Sequence, residues 1–430
     1  MATLPSTTAG LFTTIKANPI ISTLVILTAV LAVLSVAIAV YFGVQYGNAS
    51  SRLQSIKTSA STINVVPARI YYKNVQNTNV AMQGAIKGYQ QGSRILFIGD
   101  NMMTGGTASL VAYDAKATSL ARQFTRLSST VQNRLTASEN FFGYESTVLD
   151  NRVVLSNNAW SADTNSLCGI GGHFLVTSSN TATITFKPSA ICYSAQTQVF
   201  ALRTSASFTL KVGDNAPVTI TPSSLTPVAG NIVMQSLYFN NSASVPPVIT
   251  ITSTGASNAT PVQLYGFSCN PYAALEIVNC GADLATTQIV NATTSTALLG
   301  PGLLALSPSL VVIDIGNTDF ENNTPQATYV QNMQNLFTFL KSKSIPFFVL
   351  TPPWQQDVAM STQSAYVAAL KAVMDASSIP YLDFQGEMID FQTQQSLGYS
   401  SSQPGGQMTF LSTLKAAQDI LVALTGNAPQ

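Results

Sequence analysis

LVVIDIG, residues Leu310–Gly316, is an apolar, β-branched run closed by glycine. Such a run reads as a strand buried on both faces, because a strand with one wet face would alternate. Four more runs read the same way: RILFIG (Arg94–Gly99), LEIVNCG (Leu275–Gly281), IPFFVL (Ile345–Leu350) and IPYLDF (Ile379–Phe384). Between and after them lie helical patterns, near residues 107–136 and over Gln326–Ser342, Ser364–Ala376 and Phe410–Thr425. Continuous apolar strands alternating with helices predict an α/β fold, a parallel sheet with helices on both faces in three αβα layers.

That alternation is interrupted. From about Val153 the chain turns to short runs such as ATITF, SFTLKV, APVTITP and PPVITITS, punctuated by Asn, Gly, Pro and Ser. Short strands at regular spacing predict a β-sandwich, ending near VQLYGF at Val262–Phe267. The sandwich is therefore expected to be inserted after the first strand and helix of the α/β domain.

At the other end, residues 17–46 carry no charge, and IISTLVILTAVLAVLSVAIAVYF is long enough to cross a bilayer. The rival is a cleaved signal peptide, for which Ala37-Ile38-Ala39 has the right form but the apolar region is too long. The expected organisation is a tail at 1–18, a transmembrane helix at 19–46 and a stalk or linker at 47–92. The α/β domain follows in two parts, 93–150 and 268–430, around a sandwich at 151–267. Lys16 before the helix and Arg52, Lys57, Arg69 and Lys73 after it place the large domain on the cytosolic side by charge. The sequons at Asn48, Asn240, Asn258, Asn291 and Asn322 would matter only in a secretory lumen.

Composition narrows the function classes. Charged residues are 9% of the chain, against about 25% in an average soluble protein, and the net charge is +1. That balance gives no basic patch for nucleic acid. An uncharged polar surface suits a protein held in an assembly, at a membrane or under glycans. No glycine-rich phosphate loop with lysine occurs, and Cys168, Cys192, Cys269 and Cys280 lack zinc-ligand spacing, so neither cofactor nor metal is expected. Disulfides and buried thiols remain equal readings for these four.

Four blocks, in order and on the expected elements, carry a resemblance. IGDN ends the first strand at Asn101; IVNCGADLATT spans Ile277–Thr287; IDIGNTD spans Ile313–Asp319; and SQPGGQMTF precedes the last helix. Over residues 92–425 the chain resembles the SGNH (GDSL-type) hydrolases, and more narrowly those with a carbohydrate-binding-like sandwich between the first and second blocks. The resemblance implies a nucleophilic serine where this chain has Asn101, an oxyanion glycine at Leu284, an oxyanion asparagine at Thr318 and a general-base histidine at Gln407. An amide is neither a nucleophile nor a useful base near neutral pH. All four letters of the family's name are therefore changed, and the expectation is a domain without catalysis. Asn317 stands one place too early and would point the wrong way on an extended segment.

Asp100, Trp160, Asn317 and Asp319 remain as candidate binding residues. Asp100 is read as a cap of the helix that follows it or as a residue that fixes the turn, and Asp319 as support for its turn. His173, the single histidine, is read as a packed or surface residue. The expected role is structural: a protein anchored in a lipid bilayer through residues 19–46, with protein partners in a coat or capsid, as a minor virion component linking an internal membrane to a shell. The alternative is a glycan-binding protein at a cell or virion surface, using aromatics such as Trp160, Tyr193, Phe200, Tyr238 and Tyr265. A third reading keeps esterase or acyltransferase chemistry on relocated groups: Thr104, Thr107 or Ser109, with Asp319, Asp383, Glu387 or Asp390.

Overall fold

The computed structural model describes residues 72–76, 79–90, 92–104, 119–131, 137–138, 141–143, 152–156, 159–163, 173–188, 194–240, 247–271, 274–282, 286–290, 299–400 and 409–425. The expected tail and transmembrane helix (1–18 and 19–46) lie outside them. Among the described residues no helix is long and apolar enough to cross a membrane.

Seven strands form the first sheet, in the order β1 (Tyr72–Lys73), β19 (Tyr381–Leu382), β18 (Phe347–Leu350), β17 (Leu310–Asp314), β2 (Arg94–Gly99), β16 (Leu275–Gly281) and β3 (Ala137–Ser138). All neighbours are parallel except β1, which runs antiparallel along β19. Strands β16, β17 and β18 are buried throughout, as their unbroken apolar runs require.

The sheet separates two cores by simple alternation. Leu96, Ile98, Val311 and Ile313 face one core, with α7 (Gln326–Ser342) and α8 (Met360–Ala376) supplying Met333, Leu336, Phe337, Leu370 and Met374. Ile95, Phe97, Leu310 and Val312 face the other, against α1 (Val80–Gly88), α3 (Leu120–Val131) and α11 (Phe410–Thr425). Three αβα layers result. At about 25 cal/mol per Å² of apolar area removed from water, burial on both faces makes this sheet a large contributor to stability.

Residues 72–88, expected in a linker, belong to this domain. β1 closes the sheet edge, and α1 packs beneath β17 and β18. Asn79 caps α1 by accepting from the Ala81 and Met82 amides. Its side-chain amide and that of Asn74 donate to the carbonyls of Ser378 and Ile379. A two-residue strand leaves too little periodicity to be seen in a sequence.

Two antiparallel sheets lie between β3 and β16 in the chain. One runs β11 (Val218–Ile220), β10 (Phe208–Val212), β14 (Ile249–Ser253), β8 (Thr183–Phe186), β5 (Val153–Leu155). The other runs β12 (Pro227–Ala229), β13 (Ile232–Asn240), β9 (Ser194–Leu202), β15 (Val262–Pro271), β7 (Leu175–Thr177), β6 (Ser161–Ala162), and β4 (Phe141–Phe142) also pairs with β15. Their inner faces share one core, in which Ile184, Phe186, Phe208 and Ile251 of one sheet meet Leu175, Val199, Leu264 and Phe267 of the other. The antiparallel strands thus extend slightly beyond 151–267 at both ends. Helix α5 (Leu299–Leu306), from the α/β part, packs on β12 and β13.

Candidate functional site at the strand ends

In an open parallel sheet, ligands bind beyond the carboxyl ends of the strands. Here β2, β16 and β17 end side by side, with Gly99 opposite both Gly281 and Asp314. Glycine at 99 is a packing requirement: a Cβ there would sit 2.0 Å from the Asp314 carbonyl oxygen and 2.6 Å from Met103 Cγ.

Asp100 follows, fully buried. Its Oδ2 accepts from the backbone amides of Gly316 (3.3 Å), Asn317 (2.9 Å) and Thr318 (3.4 Å), and its Oδ1 accepts from Asn317 Nδ2 (3.4 Å). It thereby caps α6 (Asn317–Glu321) from a different strand. Asn317 does not point away. Strand β17 stops at Asp314, Gly316 takes φ 146°, and the chain enters a helix whose first residue faces Asp100. The extended geometry on which the opposite expectation rested is absent.

Asp319 is buried and accepts from the backbone amide and the hydroxyl of Thr287, both at 2.7 Å, so it fastens α4 (Thr287–Val290) to α6. Asn279 donates to the Met103 carbonyl and accepts from the Gly281 amide, which fixes the end of β16. Asp100, Asn317 and Asp319 are thus brought to one place. Trp160 is not: it is 6% exposed in the sandwich core, and its indole N–H donates to the Thr183 carbonyl. Phe200 and Tyr265 are buried as well, whereas Tyr238 is 70% exposed.

Other expected groups have settled places. Asp383 caps α9 (Phe384–Glu387) and pairs with Lys371; Glu387 pairs with Lys415; Asp390 caps α10 (Phe391–Ser396). His173 Nδ1 lies 2.8 Å from the Asp163 carbonyl oxygen. Cys269 and Cys280 are buried thiols. Asn101 opens α2 (Asn101–Thr104) and Thr104 closes it. Thr318 is buried in α6, and its hydroxyl has no hydrogen-bond partner among the described residues. Leu284, Gln407, Thr107, Ser109, Tyr193, Cys168 and Cys192 lie outside the described residues. Among those described, no group of three His, Cys, Asp or Glu side chains is placed to hold a metal.

One residue escaped the sequence reading. Asp314 ends β17, fully buried, and neither carboxyl oxygen has a hydrogen-bond partner among the described residues. Burial, and then the neighbouring Asp100, push its carboxyl well above the usual carboxylate range. Asp100 is raised to about 7, chiefly by burial, against the lowering effect of its three backbone donors. Burial also raises Asp319, with Thr287 opposing. Three acids therefore gather with no basic side chain among the causes that shift them, and perturbed acids of this kind mark functional sites. The available signal was a carboxylate inside the run VVIDI.

No family model matches the sequence, and no curated relative does. Solved structures do. One, described as a peptidoglycan O-acetylesterase in action, superposes with a TM-score of 0.55 over 79% of this chain and 92% of that one, at 14% identity. The fold is that of the SGNH hydrolases. A G-D-S-L family lipolytic protein from Desulfitobacterium hafniense matches 35% of this chain and 81% of its own at 19% identity, with a TM-score of 0.30. An acetylxylan esterase from Geobacillus stearothermophilus, in a catalytic mutant, matches 36% and 74% at 17%, with a TM-score of 0.29.

The first of these corrects the expectation that the chain is not an enzyme. The structure that shares its fold across most of its length is that of an acetylesterase, so the changed letters do not by themselves make the chain a non-enzyme. The expectation rested on four aligned letters. Two of those residues and the side chain of a third lie outside the described residues, and what is described at this end is a set of buried acids.

Proposed function

We propose that the chain is a membrane-tethered SGNH-type hydrolase that removes O-acyl groups from a carbohydrate polymer. The observation that carries this reading is the gathering of Asp100, Asp314, Asn317 and Asp319 at the carboxyl ends of β2 and β17, where this fold places its chemistry. Asn101 cannot form an acyl-enzyme, so water attacks the ester carbonyl directly, with a carboxyl group handling the proton. The O-acetylated glycan substrate is taken from the structure that shares the fold. Tethering rests on the uncharged run within residues 19–46.

The test is acetate release from O-acetylated peptidoglycan and acetylated xylan by the full chain in lipid nanodiscs. Release above buffer with no acyl adduct in the intact mass is expected. A folded protein that frees no acetate from either polymer overturns the reading.

A chain with only 9% charged residues also favours contacts with neighbouring coat or capsid proteins. Cross-linking in the native membrane or particle tests this second role. Links to shell proteins support it, and links confined to lipid and glycan remove it.

A further inference from the structure

We infer that Asp314 is the acid–base residue of the strand-end site, giving its proton to the leaving sugar oxygen of an O-acyl carbohydrate. The inference rests on the hydrolase reading above and names the group that would do its chemistry.

The carboxylates offered by the sequence are committed: Asp100 to three backbone amides and Asn317, Asp319 to Thr287, Asp383 to Lys371, Glu387 to Lys415, and Asp390 to the Thr393 amide. A carboxyl with its oxygens engaged in holding the fold cannot take and return a proton without loosening it. Asp314 is fully buried and has neither oxygen engaged among the described residues. A buried polar group without a partner costs a fold about 1–3 kcal/mol, so its retention calls for a use.

Its position fits that use. Strand alternation puts Asp314 on the face of Leu310 and Val312, the side covered by α3 and α11. Across the ladder stands Gly99, with no side chain to screen it, and two residues further on is Asn101, where the fold's nucleophile position lies. The Asp100 amide donates to the Asp314 carbonyl at 3.3 Å, which locks the two strand ends together. The titratable groups around the pair are acids and a phenol: Asp100, Asp319 and Tyr329. With no cation among those groups to favour the ionised form, burial and the neighbouring Asp100 both favour the protonated Asp314 carboxyl.

The step balances. The water oxygen bonds to the acyl carbon, the bond from that carbon to the sugar oxygen breaks, and the sugar oxygen takes the Asp314 proton. The proton released by water restores Asp314, leaving a carboxylic acid and an alcohol.

Asp314→Asn keeps size and neutrality and removes the transferable proton. With the full chain in nanodiscs, three readouts are compared with wild type: acetate release, retention on O-acetylated glycan, and the carboxylic-acid carbonyl band in the infrared. The expected result is a loss of release of about a hundredfold or more, unchanged retention, a weaker band, and full recovery of release when the aspartate is restored. Release within about threefold of wild type overturns the assignment and leaves the hydrolase reading standing. A wild type that is folded and releases nothing overturns both. Absence of a protonated-carboxyl band in active wild type overturns the assignment alone.

Discussion

The two halves of this molecule bury polarity in opposite ways. In the sandwich, the buried polar side chains are hydroxyls such as Thr177, Thr197, Ser253 and Ser268, and aromatics such as Trp160 and Phe208 turn inward. At the ends of β2 and β17, three carboxyls sit in the interior with no basic partner among the described residues. Desolvating an acid carries a large free-energy penalty, so a fold that does it three times in one place has a local use for it. The sandwich buries neutral hydroxyls, and the strand ends bury ionisable acids.

The largest expected effect tests the first half of that contrast. Trp160→Ala removes a buried indole and its bond to Thr183, and should destabilise the chain by about 3–5 kcal/mol in urea unfolding. Acetate release at a permissive temperature should stay the same. Loss of release with intact stability would mean that the sandwich takes part in the chemistry.

A second measurement addresses the strand ends. A carboxyl raised in the folded state, as Asp100 is from 3.8 to about 7, contributes stability that is complete below its unfolded value and lost as pH rises through its folded one. Unfolding free energy should therefore fall between about pH 4 and pH 7, by up to roughly 4 kcal/mol, and the melting temperature with it. Asp314→Asn should reduce that slope, because it removes the second acid of the pair. A flat profile would show the acids to be compensated, and the contrast between the two halves would collapse.

The smallest effect concerns Tyr238, exposed on β13 and bonded to Gln196. Tyr238→Ala should change stability by less than about 0.5 kcal/mol and leave glycan retention untouched. Weaker retention would give the sandwich a recognition face after all.

Much of the architecture was legible because it rests on periodicity. The limits of α7 and α11 could be read from amphipathic spacing, and β17 from its apolar run. Residues 72–88 could not, since β1 is two residues long and is defined by its partner β19. At the site, Asp100 was expected to cap the helix that follows it or fix the turn, whereas it caps α6, reaching an amide 217 residues further on, at Asn317. Asn317 was misdirected because a single glycine torsion converts strand into helix at Gly316. Asp314 went unseen because an aspartate closing an apolar run looks like the end of a strand. Only burial from several elements at once turns it into an acid without a partner.

The order of strands in the first sheet has a consequence in time. β2 lies between β16 and β17, and both are made only after the whole sandwich has been synthesised. During synthesis β2 thus waits, apolar on both faces, for neighbours far downstream: Arg94 pairs with Glu276, 182 residues away. The sandwich shortens that wait. Once its strands have paired, β4 and β15 lie side by side, and the chain folded between them no longer counts as open loop. The inserted domain acts as a folded clip that delivers β16 to β2, so a sandwich that misfolds would strand the central strand of the sheet in solvent.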